Sequence, residues 1–404
     1  MNRNPSIQQW ETQAVISGGG PVGLMLALGL AQQGRQMALV EALSEKQTEA
    51  SSFDGRVLAL TLGSQEILQQ LGIWESLAPF VEPIEHVHVS QKGYLGITQI
   101  DASELRLPAL GYSVTASDLG RILWQAVFEQ AKIQVFRPAK VKDFVEQADV
   151  VQVEIETASG KKRLSTQLLV GADGTQSQVR KLLGLPIQEK SYRAFGIIAK
   201  IETEQPPQGW SYERFTTEGP VALLPMGGHA SKAVLVCPED QVNAYLEMED
   251  EAFIQAFAEK MGERLGRFTA ISPRAAYPLK ETYVPQMTKG RAVLMGNASH
   301  TQHPVAAQGL NLGIRDVAAF LQLVQSQQDI GRAELLEHYA RQRREDHEKI
   351  MGLTDGLIQV FQAPSPLLGH LRGLGLMAVQ ALPPLKKRFA RFAMRGVSIR
   401  EAGH

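Results

Sequence analysis

Apolar and polar positions follow a regular pattern near the start of the chain. Residues 13–17 form a short apolar stretch that predicts a buried strand, and residues 24–33 carry the dense apolar pattern of a buried helix. Gly34 marks the end of that helix, and residues 37–40 predict a second buried strand. The pattern therefore predicts a strand–helix–strand unit whose two strands are parallel.

Two further strands of this buried kind lie far along the chain. Residues 168–170 lead into Gly171, and residues 292–295 lead into Gly296. Both stretches are apolar and end in glycine, as the first strand does, so we expect them to join the same parallel sheet. Apolar residues at helical spacing predict helices at residues 117–129 and at about 310–325.

The middle of the chain has a different pattern. Short stretches that alternate between apolar and polar residues, separated by Gly and Pro, predict an antiparallel sheet. The predicted fold class is α/β, with a Rossmann-like nucleotide-binding domain, an inserted antiparallel-sheet substrate domain and a helical carboxyl-terminal region. The predicted boundaries are residues 1–82, 111–187 and 279–350 for the nucleotide domain, 83–110 and 188–278 for the sheet domain, and 351–404 for the carboxyl-terminal region.

The carboxyl-terminal region is basic and amphipathic. Its prolines are expected to divide it into short helices, and Leu385 and Phe389 interleave with basic side chains. Three interpretations fit this pattern: the segment lies on an anionic membrane surface, docks a partner in a protein complex, or packs on its own chain. The basic residues are Lys386, Lys387, Arg388, Arg391, Arg395 and Arg400.

The composition excludes several classes of protein. The chain has 404 residues, 41 basic and 42 acidic side chains and a net charge of −1, so we expect no binding of nucleic acid. Cys237 is the single cysteine, which excludes an internal disulfide framework and a thiolate cluster for iron or zinc. The chain begins without the apolar core of a secretory signal and has no apolar run that could span a bilayer. We therefore expect a cytoplasmic protein, with attachment to the inner membrane surface as the additional role of the basic region.

The turn after the first strand matches a dinucleotide fingerprint. Gly18 suits the tight turn, Gly20 lets the backbone approach a pyrophosphate, and Gly23 allows helix and strand to pack closely. Glu41 follows at the interval typical of an acid that accepts ribose hydroxyl groups. The alternative is a plain strand–helix turn, but Pro21 and a surplus glycine argue against it, since glycines cost backbone entropy on folding.

Three strand ends are candidates to meet at one edge of the parallel sheet. They carry Gly18, Asp173 and Asn297, and ligands of open α/β sheets bind at the carboxyl ends of the strands. One dinucleotide would contact all three. Asp173 has an alternative role as a cap of the helix near Ser177, and Asn297 as a turn residue after Gly296.

The chain resembles the FAD-dependent aromatic hydroxylases with a para-hydroxybenzoate hydroxylase type of fold. The resemblance covers residues 12–350 and rests on the glycine fingerprint and on two later motifs, at residues 171–180 and 296–304. Residues 54–60 and 303–316 resemble the ubiquinone-biosynthesis hydroxylases, and Asn297 matches the 2-octaprenyl-6-methoxyphenol hydroxylase subgroup.

This resemblance implies an enzyme with FAD as its cofactor. The implied reaction hydroxylates the aromatic ring of a polyprenylated methoxyphenol with molecular oxygen, through a flavin hydroperoxide. NAD(P)H or an electron-transfer protein would supply the electrons. Three alternatives are another ring hydroxylase of the same pathway, a different flavin enzyme such as a prenyl-chain reductase or halogenase, and a non-catalytic FAD-bound scaffold subunit. The four scattered tryptophans speak against a halogenase.

The resemblance also implies a set of cofactor-binding residues. Arg56 would bind the FAD phosphate or ribose, and Arg121 lies in a region that contacts FAD in relatives. The start of the helix near residue 310 would stabilise the anionic reduced flavin through its backbone N–H groups. Ala307 departs from the family pattern, which has Gly there. The residues on the ring side are Pro304, Gln308, Gly309 and Asn311.

Two further predictions concern the histidines of the third motif and the substrate pocket. His300 and His303 are interpreted as packing and hydrogen-bonding groups rather than as a general base, and no metal site is expected. An apolar pocket walled by the antiparallel sheet would suit a prenylated substrate. Its wall candidates are Leu223, Pro225 and Met226, for which ordinary sheet core is the alternative.

Overall fold

The structure is a computed structural model. The structure describes residues 9–47, 56–302, 308–362 and 366–395. Its strands are β1 (Gln9–Ser17), β2 (Met37–Val40), β3 (Val57–Thr61), β4 (Val81–Ile84), β5 (His86–Gln91), β6 (Ile97–Asp101), β7 (Gly111–Thr115), β8 (Ile133–Phe136), β9 (Ala139–Glu146), β10 (Val151–Thr157), β11 (Gly160–Gly171), β12 (Gln188–Thr203), β13 (Trp210–Phe215), β14 (Pro220–Pro225), β15 (Ala230–Pro238), β16 (Phe268–Ile271), β17 (Ala275–Tyr283), β18 (Thr288–Lys289), β19 (Ala292–Leu294) and β20 (His300–Thr301).

The helices complete the framework. They are α1 (Pro21–Gln32), α2 (Leu62–Gln70), α3 (Trp74–Leu77), α4 (Ala116–Phe128), α5 (Gln178–Leu183), α6 (Val242–Glu247), α7 (Asp250–Met261), α8 (Gln308–Val324), α9 (Ala333–Gln362), α10 (Pro366–Ala381) and α11 (Pro383–Arg395).

A parallel sheet forms the centre of the molecule. Strands β19, β11, β1, β2 and β8 lie side by side in that order and run parallel, with β18 at one edge. All four residues of β2 are buried, as is typical of a strand inside a parallel sheet that is covered on both faces. Strands β9 and β10 extend β11 as an antiparallel hairpin. The three distant apolar strands predicted from the sequence therefore meet in one sheet.

A second, larger sheet stands beside the first. Its order is β20, β17, β12, β15, β14, β13, β5 and β6, with β16 paired to β12. The pairs are antiparallel except β13 and β5, which run parallel. Helix α7 packs on one face, where Phe253 and Phe257 are buried with Leu223. The predicted α/β fold class with an inserted sheet is confirmed.

Near the predicted domain boundary, a strand of the second sheet reaches the third motif. Strand β17 continues past residue 279 to Tyr283 and pairs there with β20, which lies within that motif. Strands β3, β7 and β4 form a small third sheet. The pairing of β17 with β20 therefore connects the third motif directly to the second sheet.

The carboxyl-terminal helices pack on the chain itself. Helix α10 lies so close to the turn between β5 and β6 that a Cβ on Gly373 would sit 2.0 Å from the Leu95 carbonyl oxygen. The Thr98 hydroxyl donates to the Leu376 carbonyl at 2.8 Å. On α11, Ala390 is buried in a small apolar cluster with Ile100. Within the described residues, none of the helices is long and apolar enough to cross a membrane.

Candidate active site

One large cavity brings the predicted site residues together. Its volume is about 2060 Å³, and its walls come from the carboxyl edge of the parallel sheet, the second sheet and the helices α10 and α11. The predicted residues that line it are Gly18, Gly20, Glu41, Arg56, Asp173, Asn297, Gln308, Gly309 and Asn311.

The glycine turn shapes one end of the cavity. Gly18 has a φ of +113°, and a Cβ there would lie 2.3 Å from the Ala172 carbonyl oxygen. Gly23 packs against Gly18, since its Cβ would lie 2.0 Å from the Gly18 carbonyl oxygen. Gly20 has only open space within 4 Å and caps the amino end of α1 without a side-chain hydrogen bond. The first N–H groups of α1 are therefore available to an anion.

Glu41 holds the glycine turn in place. Its carboxylate accepts a hydrogen bond from the Gly19 N–H at 2.5 Å and from the Leu43 N–H at 2.6 Å. A Cβ on Gly19 would lie 2.4 Å from the Trp124 ring, which explains the surplus glycine. The predicted bond from Glu41 to a ribose stays a prediction, but the structure adds an internal role for the same carboxylate.

The second motif is built around a helix cap. The Ser177 hydroxyl accepts the Arg180 N–H at 3.0 Å, and Asp173 accepts the N–H groups of Gln178 and Val179 at 2.7 and 3.2 Å. Asp173 therefore has the capping role that the sequence left as an alternative, and it also lines the cavity. The buried Arg180 guanidinium donates to the carbonyl oxygen of Ala298 at 2.9 Å and so ties the second motif to the third.

The third motif presents polar groups to the cavity. Gly296 has a φ of +56° and opens a short 3₁₀ turn in which Asn297 is exposed and lines the cavity. Gln302 also lines the cavity, and both polar atoms of its amide have no hydrogen-bond partner among the described residues. His303, Pro304 and Ala307 lie outside the described residues.

A buried ionic cluster supports this loop from behind. Asp316 of α8 accepts from Arg343 Nε at 2.7 Å and lies 2.9 Å from His347 Nε2, both on α9. Burial opposes ionisation of Asp316, but His347 and Arg343 hold its pKa below the usual range. His300 lies 3.3 Å from the same carboxylate and donates from Nδ1 to the Gly296 carbonyl oxygen at 3.0 Å.

The cluster also bears on two predictions. Burial and the neighbouring His347 lower the pKa of His300 to about 3, so its imidazole is neutral, and its contacts are those of a packing and hydrogen-bonding group. His300, Asp316 and His347 are close enough together to be metal ligands, which the sequence spacing did not reveal. The Arg343 guanidinium already neutralises the carboxylate, however, so the geometry favours an internal ion pair over a metal site.

The start of α8 lies on the cavity wall. Gln308 is buried, and a Cβ on Gly309 would meet only open space. The Asn311 amide is committed elsewhere: it accepts from Thr61 N at 2.9 Å and Ser64 Oγ at 2.7 Å and donates to the Ala59 carbonyl at 2.8 Å. Asn311 thus fixes α8 against β3 and α2.

Two predicted residues do not follow the expected placement. Arg121 is not among the residues that line the cavity; it is exposed, pairs with Asp118 at 3.2 Å and lies over the Phe80 ring. Leu223 points to the α7 face of the second sheet, because successive strand residues alternate between faces. Its neighbour Leu224 lines the cavity instead.

Pro225 and Met226 are likewise absent from the residues that line the cavity. The Pro225 carbonyl oxygen accepts a hydrogen bond from the Ser113 hydroxyl, so it belongs to the junction between the sheets. The apolar wall comes from other positions of the same sheet. They include Val87, Val89, Ile100, Ile198, Ala222, Leu224, Val234 and Val236.

The residues present fit a flavin dinucleotide. An anionic pyrophosphate matches the open turn at Gly20 and the uncapped start of α1. The unpartnered amide of Gln302 offers a donor and an acceptor to polar groups of a ligand. Gln302 and Trp124 were missed by sequence reasoning. For Trp124, the surplus glycine at position 19 was the signal.

Comparison with known proteins agrees with this geometry. A protein-family model described as FAD binding domain matches residues 11–354. The chain is 32% identical over 388 residues to ubiquinone hydroxylase UbiL of Rhodospirillum rubrum, covering 94% of this chain and 89% of that one. It is 30% identical over 389 residues to 3-demethoxyubiquinol 3-hydroxylase of Escherichia coli, covering 95% and 98%.

Solved structures show the same fold. The p-nitrophenol 4-monooxygenase PnpA of Pseudomonas putida has a TM-score of 0.79 at 15% identity, covering 97% of this chain and 100% of that one. A variant of HpxO from Klebsiella pneumoniae, complexed with FAD, has a TM-score of 0.73 at 18% identity, covering 94% and 99%. The family match confirms the expectation of FAD as the cofactor. The chain therefore belongs to the FAD-binding domain family and, within it, to the FAD-dependent hydroxylases of ubiquinone biosynthesis.

Proposed function

We propose that this enzyme hydroxylates the aromatic ring of a polyprenylated methoxyphenol in ubiquinone biosynthesis. The observation that carries the proposal is one continuous cavity that has the glycine turn at one end and mostly apolar walls elsewhere. A hydroxylase needs both ends in one chamber, because the reacting ring must lie against the cofactor while water stays out.

The cofactor end has the groups that would hold FAD. The turn at Gly20 and the start of α1 would bind the pyrophosphate, with Arg56 as a cationic neighbour. Asn297, Gln302 and the start of α8 would contact the rest of the cofactor. When bound, FAD would carry electrons from the reductant to oxygen and so activate it, and the chain supplies binding, orientation and electrostatics.

The substrate end suits a ring with a long apolar tail. The cavity-facing side of the second sheet is mostly apolar, and Leu368, Leu371 and Val379 of α10 continue this surface to the cavity mouth. Leu371 is also exposed, so the apolar lining reaches the outer surface of the protein. A prenyl chain placed along α10 would bury apolar surface, which stabilises binding by about 25 cal/mol for each Å² removed from water.

A product assay tests the proposal. Purified protein with FAD, NADPH, a short-chain prenylated 2-methoxyphenol and isotopically labelled dioxygen is expected to yield a ring-hydroxylated product with one labelled oxygen atom. A protein that binds FAD but forms no such product with NADH, NADPH or a supplied electron-transfer protein would instead be a scaffold subunit. The same three arms identify the reductant.

The ring position is a separate question. The E. coli relative is named for hydroxylation of a demethoxyubiquinol, which favours another ring hydroxylase of the pathway as the second candidate function. Competition between a prenylated methoxyphenol and a demethoxyubiquinol decides between them. The larger kcat/KM identifies the substrate, and a preference for the quinol would contradict the first candidate.

We also propose that the α10–α11 surface attaches this enzyme to an anionic membrane. Exposed apolar residues recur at helical spacing along α10, including Leu371, Leu374 and Met377. Next to them, α11 carries five basic residues and no acid, and Lys387 and Arg388 are exposed. Apolar insertion together with basic residues is the combination that binds anionic bilayers. Because these helices also line the cavity mouth, a lipid-soluble substrate would enter from the membrane.

A further inference from the structure

A single acid interrupts the apolar wall of the second sheet. Glu213 on β13 lines the cavity, and its paired neighbours are Val89 on β5 and Ala222 on β14. The same transverse row continues through pairing to Thr98, Val234 and Ile198. Every member of this row lines the cavity, and Glu213 is its only ionisable side chain.

Nothing in the described part of the chain satisfies this carboxyl. Glu213 makes no hydrogen bond and no ion pair with any described residue, in contrast to the other lining acids Glu41 and Asp173, which accept backbone N–H groups. A carboxyl beside apolar neighbours and without a partner is costly for folding. An unsatisfied polar group of this kind is typical of a functional position.

The chemistry of the group matches a phenol. Burial raises the pKa of Glu213 to about 7, which makes its carboxylate a stronger base than an ordinary glutamate. The ionised form accepts hydrogen bonds and donates none. The other ionisable side chains that line the cavity are Glu41, Asp173, Arg56, Lys140, Lys142, Lys232, Lys280, Arg372, Tyr212 and Tyr277.

We propose that Glu213 binds the phenolic hydroxyl group of the substrate and accepts its proton during hydroxylation. The inference rests on the proposed phenolic substrate. The O–H bond of the phenol breaks, its electron pair stays on the phenolate oxygen, and the proton joins a carboxylate oxygen of Glu213. The negative charge thereby moves from the enzyme to the ring, which becomes richer in electrons where an electrophilic oxygen atom must be added.

A binding experiment without turnover tests the contact. The probes are a short-chain prenylated 2-methoxyphenol and its O-methyl ether, titrated into oxidised FAD-loaded protein without reductant and followed by flavin absorbance. For the wild type, the affinity for the phenol is expected to rise on the order of tenfold between about pH 5.5 and 8.5, because charge-assisted hydrogen bonds are stronger than neutral ones. The ether, which has no hydroxyl hydrogen, should bind equally across that range.

Glu213→Gln is the test variant, since it keeps the shape and removes the charge. Its affinity for both probes is expected to be independent of pH. Glu202→Gln is the matched control, because Glu202 is exposed on β12 of the same sheet and outside the cavity. The control should behave as the wild type. A pH-dependent phenol affinity that persists in Glu213→Gln, or that the ether shares, would overturn the proposal.

Turnover separates this inference from the proposed function. In Glu213→Gln, kcat is expected to fall on the order of a hundredfold with a small change in KM, and the rise of kcat with pH should be lost. If the wild type forms product and Glu213→Gln keeps the wild-type kcat and pH profile, the role of Glu213 is wrong and the proposed function stands. If the wild type forms no hydroxylated phenol, the proposed function fails and the inference fails with it.

Discussion

Single glycines of one motif have different physical roles. Gly23 is needed because its Cβ would overlap the Gly18 carbonyl oxygen, so it serves the packing of helix on strand. Gly20 has an extended backbone that any residue can adopt, with φ −77° and ψ 174°, and has nothing nearby. Its lack of a side chain therefore matters only for what enters the cavity.

Replacing Gly20 with Val is expected to abolish FAD binding without unfolding the protein. The valine side chain would project into the space where the pyrophosphate must approach. Absorbance of the purified protein near the flavin band and titration with added FAD measure the loss. Gly352→Val on α9 is the control, since that glycine is exposed and also has open space around it. A yellow Gly20→Val protein with stoichiometric FAD would contradict this placement.

The raised pKa of Glu213 predicts a pH-dependent stability. The pKa of Glu213 is about 7 in the folded protein, against 4.5 for the ordinary side chain. The preference of the folded protein for the protonated carboxyl therefore makes its full contribution to the free energy of unfolding below about pH 4.5. The contribution is lost as the pH rises through 7, because the unfolded chain gives up the proton more readily. Glu213→Gln has no such titration, so it should gain about 1–3 kcal/mol on the wild type between pH 4.5 and 8.

Urea denaturation of the substrate-free protein at a series of pH values measures this difference. Glu202→Gln serves again as the control and should keep a constant offset from the wild type. An offset between Glu213→Gln and the wild type that is equal at pH 4.5 and at pH 8 would show that the carboxyl titrates normally.

At the scale of elements, polar anchors fix α8 on two sides. Asn311 binds it to the backbone of β3 and to α2, and Asp316 binds it to α9 through Arg343 and His347. The Gly296 N–H also lies 3.3 Å from Asp316, so the cluster holds the loop of the third motif. The start of α8 and this loop therefore keep their places on the cavity wall together.

Asp316→Asn is expected to destabilise the protein by about 3–5 kcal/mol, because it leaves the buried guanidinium groups of Arg343 and Arg315 with the carboxylate of Asp346 as their shared counter-ion. Chemical denaturation measures the change in the free energy of unfolding. Glu345→Gln is the control on α9: Glu345 lies 4.0 Å from Lys349 in an exposed pair, and its loss should cost below about 0.5 kcal/mol. Equal effects of the two changes would contradict the internal role of the cluster.

At the scale of the whole molecule, the carboxyl-terminal helices join the cavity to the outer surface. The double variant with Leu374→Asp and Met377→Asp is expected to lose at least about tenfold in affinity for anionic vesicles, since each exposed apolar side chain contributes on insertion. Neither residue lines the cavity, so the activity on a short-chain substrate should stay the same.

Flotation with phosphatidylglycerol vesicles, against neutral phosphatidylcholine vesicles, measures the binding. Val145→Asp is the matched control, because Val145 is 59% exposed on β9, far in sequence from α10. Binding by the wild type should weaken with added salt, as basic residues of α11 contribute. Vesicle binding that is absent in the wild type, or lost equally in the control, would rule out this surface.

The sequence alone was sufficient for the fold class, the cofactor and most of the cofactor side of the cavity. Buried strands and glycine turns depend on local patterns: the predicted strand at residues 37–40 and the helix at 117–129 match β2 and α4 within one residue. The role of Gly20 likewise follows from the glycine motif that its sequence neighbours form. Local sequence thus determined which segments form the glycine turn and the strands beside it.

Only the tertiary structure decided which side chains share the cavity. Leu223 and Leu224 are adjacent in sequence, and the pleat of β14 alone directs one to α7 and the other to the cavity. The partners of Asp316 are distant from it in sequence, and the Glu213 carboxyl has no partner among the described residues. Whether a charged side chain meets a partner depends on how distant segments pack together, and the periodicity of the sequence does not encode that packing.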